Sequence, residues 1–97
     1  MKGTDKQIKW ASELKSIVTK HILEALEVIE KDGEVSLKEE TVSVINTDMN
    51  NDDAKFWIDN FKGTTESNLK PIFDYLNDKA VTGRKIARQI NKNNGFC

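Results

Sequence analysis

Apolar residues recur at steps of three and four along the first third of the chain: Ile8, Ala11, Leu14, Val18, Ile22, Ala25 and Ile29. That spacing predicts a helix. At about 100° per residue, Trp10, Ile17, His21, Leu26 and Val28 join the same side, so the apolar arc spans roughly 180°. Lys6, Lys9, Glu13, Lys20, Glu24, Glu27 and Glu30 fill the opposite side, with Leu23 as the one apolar exception. Thr4 and Gln7 stand at capping-box spacing ahead of the pattern. Asp32-Gly33 ends it, because glycine readily takes the left-handed conformation that stops helices. An arc this wide predicts a central helix covered by two or more neighbours, with Trp10 in the core.

Residues 34–51 carry a mixed signal. Ser36 and Glu39 have capping-box spacing, which favours a helix over about 37–46. Val42 and Val44 alternate with Thr41 and Ser43 as in a strand, whose only local partner would be a hairpin with 34–37. The balance favours the helix. Asn46–Asp53 is polar and turn-rich and reads as a loop. Asp52 or Asp53 can cap a third helix over Ala54–Phe61, whose apolar set is Phe56, Trp57, Ile58 and Phe61. Lys62-Gly63 closes it. Pro71 fits the first turn of a fourth helix, with Leu69, Ile72, Phe73 and Leu76 on its buried face. Thr82 is expected to cap a last helix to about Asn93, carrying Ile86, Ala87 and Ile90. The expected fold is all-α: one domain over 1–97, a compact bundle of four to five helices around the long N-terminal one.

Composition narrows the classes. Of 97 residues, 25 are Leu, Ile, Val or Phe, enough for one small core, and 32% are charged. No run of about 18 apolar residues exists to span a membrane, and no apolar segment follows Met1 as a secretory signal requires. One Cys and one His give neither an internal disulfide nor a zinc cluster. Cys97 is expected to be an exposed free thiol in a reducing cytoplasm.

Charge is distributed unevenly. Residues 1–23 carry a net +3, residues 24–61 a net -8 and residues 62–97 a net +4. On the first helix the acids Glu24, Glu27 and Glu30 lie toward the C-terminal end, where the macrodipole disfavours them. Glu24/Glu27 and Glu27/Glu30 are also like-charge neighbours at i,i+3. Local helix stability therefore does not account for the stripe. Three readings remain: the basic last helix answers it inside the domain, it is an ordinary solvated face, or a partner meets it. The first is favoured, which leaves Asp48, Asp52 and Asp53 as the acids facing outward. Phe56 and Trp57 are adjacent and point about 100° apart on a helix, so one of them is a candidate interface anchor. Arg84, Lys85, Arg88 and Lys92 share a broad face and form a candidate phosphate-contacting surface, although the pI near 5.8 argues against nucleic acid as the main partner.

Catalytic and metal chemistry find little support. Asp48-Met49-Asn50-Asn51-Asp52 matches the opening of a calcium loop, and Asp59 falls at its twelfth position. The sixth position is Asp53 rather than glycine, however, and the twelfth is Asp rather than the bidentate glutamate. The segment is read as an acidic capping loop. His21, on the apolar arc, reads as a packed, hydrogen-bonded core residue. No P-loop or G-x-S-x-G occurs. No cofactor and no enzymatic activity are expected.

Two segments carry a resemblance. Gly3-Thr4-Asp5-Lys6-Gln7-Ile8-Lys9-Trp10-Ala11 and the later Asp53–Asp59, DAKFWID, resemble small phage and mobile-element proteins that open on a TxKQIxWA helix start. The match covers about a quarter of the chain. It implies a bacterial or phage cytoplasmic origin and transfers no residue roles. The expected function is a phage or prophage accessory factor that binds a host protein, possible targets including defence complexes. A nucleic-acid-binding module using the basic C-terminal helix is the alternative.

Overall fold

The computed structural model describes residues 1–33 and 36–95, so the expectation for Cys97 lies outside the described residues. The chain forms α1 (Asp5–Asp32), α2 (Glu39–Met49), α3 (Ala54–Phe61), α4 (Lys70–Asn77) and α5 (Ala80–Asn93). Among the described residues the only β features are two isolated bridges, Lys2 with Asp53 and Thr65 with Asn68. The fold is all-α, and the ambiguous second segment is a helix.

Local chemistry sets the limits of α1 as the sequence predicts. Thr4 Oγ1 accepts the Gln7 N–H at 3.2 Å, and Gln7 Oε1 accepts the Thr4 N–H at 3.0 Å. At the other end Gly33, at φ 66°, donates its N–H to the Ile29 carbonyl at 3.0 Å. A helix of 28 residues is about 42 Å long, so α1 alone sets the 43 Å long axis of the molecule. α1 packs against α3 and α5, α5 against α4, and α2 leans on α5 rather than on α1. One core results: Leu14, Val18, Ile22 and Ile29 of α1 join Ile45, Trp57, Phe61, Ile72, Leu76, Ile86 and Ile90. Trp57 stacks on Phe61 at 5.4 Å between ring centroids, and Phe61 meets Tyr75 at 5.0 Å.

Four expectations are corrected. Trp10 is 39% exposed rather than core. It lies toward the edge of the apolar arc, about 75° from its midline, beyond what α3 and α5 cover. α2 continues to Met49, where the loop was expected, because Ile45 and Met49 are buried in the common core. Its start is not a Ser36 capping box: Lys38 is the N-cap and receives no side-chain cap. Nor does Thr82 cap α5, which begins two residues earlier. Both local caps give way to one tertiary bond, in which the Lys38 N–H donates to the buried Thr82 Oγ1 at 3.1 Å. Asp53, by contrast, caps α3 as expected, accepting the Lys55 N–H at 3.0 Å, and Pro71 stands in the first turn of α4.

The turn from α4 to α5 is tight. Only Asp78 and Lys79 separate the helices, and Ala80 takes the left-handed conformation at φ 59°. The close crossing that follows depends on Gly83, where an added Cβ would lie 1.7 Å from the Leu76 carbonyl oxygen.

Candidate interaction site

The basic last helix does not answer the acidic stripe. Glu24, Glu27 and Glu30 are exposed, and among the described residues none of the ion pairs includes them. The cations of α5 go elsewhere. Lys85 Nζ donates to the Ser36 carbonyl at 2.8 Å, holding the approach to α2. Arg84, Arg88 and Lys92 are exposed at i,i+4 spacing and likewise take part in no ion pair among the described residues.

Of the acids around residue 50, expected to face outward, Asp52 and Asp53 are exposed, and all three also have intramolecular partners. Asp48 closes the end of α2: the Tyr75 hydroxyl donates to its Oδ2 at 2.6 Å, and Lys79 Nζ lies 3.9 Å from the same oxygen. Burial, and then the hydrogen bond and charge of Asp48, push the Tyr75 phenol well above its ordinary pKa. Asp52 Oδ1 lies 3.3 Å from the Met1 amine, and Asp53 is occupied as the α3 cap. The bridge between Lys2 and Asp53 fixes this segment, with the Lys2 N–H on the Asp52 carbonyl at 2.8 Å and the Ala54 N–H on the Lys2 carbonyl at 2.9 Å. Asp48 and Met49, which match the start of a calcium loop, form the last turn of α2.

Of the two candidate aromatic anchors, Trp57 is fully buried, and its indole N–H donates to the Asn51 carbonyl at 2.9 Å. Phe56 is half-buried against its edge, with ring centroids 5.2 Å apart. His21 is 4% exposed, and its Nε2–H donates to Glu66 Oε2 at 3.0 Å. It fastens the loop before α4 to α1, with Lys20 3.9 Å from the same carboxylate group.

The geometry brings together a different set of residues. Because α2 leans on α5, an open groove of about 770 Å³ runs between the second half of α1 and α2. Leu23, Leu26, Ile29, Leu37 and Val42 give it an apolar lining, and Glu27, Glu30 and Glu39 stand on it as carboxylates. Glu24 lies one turn before Glu27 on α1. Leu23 is 46% exposed. Two predicted residues, Glu27 and Glu30, thus belong to the groove, while its floor and Glu39 went unnoticed in the sequence. The available signal was Leu23, the apolar exception on the polar face directly before Glu24. Among the described residues no helix is long and apolar enough to cross a membrane. No family model, curated protein or solved structure matches the chain.

Proposed function

We propose that this chain acts by binding another macromolecule rather than by catalysis, and that the α1–α2 groove is its binding surface. The carrying observation is an apolar groove bordered by carboxylates that find no cation among the described residues. Glu30, in the last turn of α1, costs about 0.3–1 kcal/mol against the helix dipole and repels Glu27 at i,i+3 by roughly a few tenths more, and stability given up at a surface is a mark of function. The resemblance of residues 3–11 and 53–59 to phage proteins supports a cytoplasmic accessory factor with a host protein as partner. Affinity capture from a bacterial lysate tests the reading. A partner retained by wild type and lost with Leu23→Asp is the expected result. Equal capture by both proteins would refute the groove as the surface.

A second reading rests on the exposed Arg84, Arg88 and Lys92. Their spacing suits phosphate contacts along one helix face, and nucleic acid would then be the partner. A nuclease-treated arm of the same capture, with Arg84→Glu/Arg88→Glu alongside, separates the two. Loss of the partner under nuclease would favour this reading.

A further inference from the structure

We infer that the occupant of the α1–α2 groove is a cationic amphipathic helix of another protein, an inference that rests on the groove being the binding surface. Three features of the groove specify that chemistry. Its lining is largely apolar and includes Leu23, 46% exposed among the described residues. A strand laid there would leave the backbone polar groups on its apolar side unpaired, whereas a helix satisfies its own. The walls are two helices, and from Leu23 to Gly33 the α1 wall runs about 15 Å, enough for roughly three helical turns. An occupant in this mode inserts apolar residues at i, i+3, i+4 and i+7. The rim then sets the sign of the flanking charge. Glu27 and Glu30 stand on one wall and Glu39 on the other, so lysines or arginines beside the apolar stripe meet carboxylates on both sides.

A second copy of the chain does not meet this description. Its basic helix α5 already commits Ile86, Ala87 and Ile90 to its own core and leaves Val81 as its one exposed large hydrophobic residue, so it brings charge without an apolar stripe. Nucleic acid is excluded by sign, because its phosphates would face the glutamates.

The test uses a synthetic peptide of about 14 residues, Leu and Lys only, patterned so that Leu recurs at i, i+3, i+4 and i+7. Binding to the full chain is followed by titration calorimetry and by two-dimensional amide NMR. The expected result is saturable binding with shifts concentrated at Leu23, Leu26, Glu27, Glu30, Leu37 and Val42. Glu27→Lys/Glu30→Lys and, separately, Leu23→Asp should each weaken it by about tenfold or more. Asp59→Lys, an acid outside the groove, should leave it within about twofold. The peptide with Glu in place of Lys, and one with the same lysines and Ser in place of Leu, should not bind.

Equal affinity for the groove variants and wild type would overturn the inference, as would binding of the Glu peptide or shifts centred elsewhere. A wild-type protein that dimerises through the groove would overturn it in favour of a second copy. If a lysate partner is lost with Leu23→Asp but is not displaced by excess Leu/Lys peptide, the groove stands as the binding surface and the cationic helix falls. If Leu23→Asp loses no partner while the peptide still binds the groove as described, the occupant chemistry stands and the proposed function loses its support.

Discussion

Replacing Gly83 with alanine sets helix propensity against tertiary packing, with opposite signs. By propensity alone the change stabilises a helix interior by about 1 kcal/mol, partly through the entropy of the unfolded chain. The crossing of α4 and α5 reverses this. The new Cβ would lie 1.7 Å from the Leu76 oxygen, 2.7 Å from the Leu76 carbonyl carbon and 2.7 Å from Lys79 Cβ. Restoring an ordinary C···O approach of about 3.3 Å requires the two backbones to part by roughly 1.6 Å. The obstacle is a backbone carbonyl, so no rotamer change relieves it. Only Asp78 and Lys79 connect the helices, so α5 cannot shift without disturbing Ile86 and Ile90 where they pack in the core. Overpacking of this kind costs about 1–3 kcal/mol and sometimes more; against rigid backbone we take the upper end, about 3–4 kcal/mol gross. The net loss is then about 2–3 kcal/mol, a large part of the ~5–15 kcal/mol typical of a whole domain. In a thermal melt followed by circular dichroism this is a fall of about 10–20 °C. Urea titration gives the free energy independently. An alanine variant as stable as wild type, or more so, would refute the reasoning and mean that the α4–α5 crossing is wider than described.

Leu14→Ala and Ile22→Ala each open a cavity under α1 and should cost about 2–5 kcal/mol; a mild effect at both would mean that the buried face is misassigned. Tyr75 has a folded pKa raised above that of the unfolded chain, so its contribution is complete below about pH 10 and is lost as pH rises beyond it, by about 1.4 kcal/mol per unit. Urea melts across that range should show this alkaline decline in wild type and a shallower one in Tyr75→Phe, and identical slopes would count against the buried phenol. Replacing Glu24, Glu27 and Glu30 together with Gln should raise the melting temperature at low salt, by an amount worth a few tenths to about 1 kcal/mol, and the gain should fade as salt rises; a lower melt would restore internal pairing of the stripe. Trp10→Phe should change stability by less than about 0.5 kcal/mol, whereas Trp57→Ala should cost about 3–5 kcal/mol, and comparable losses in the two urea titrations would contradict their different burial.

Short-range rules wrote much of this fold into the sequence. The limits of α1 follow from Thr4, Gln7 and Gly33, the start of α3 from Asp53 and the start of α4 from Pro71, because each device acts within a turn of its own residue. The apolar spacing of α1 named its buried residues for the same reason, and His21 emerged as a packed, hydrogen-bonded residue. Tertiary structure decided whatever depended on which helix lies beside which. The local caps expected at Ser36 and Thr82 gave way to a bond between the Lys38 N–H and Thr82 Oγ1, across 44 positions of sequence. The arc on α1 was wider than α3 and α5 could cover, so Trp10 stayed at the surface. The charge pattern was legible as a count but not as a set of partners. Which acid meets which cation depends on angstroms, and α2 leans on α5 rather than on α1. The tertiary arrangement tied Asp48 of α2 to Tyr75 of α4 and left Glu27 and Glu30 along an open apolar groove.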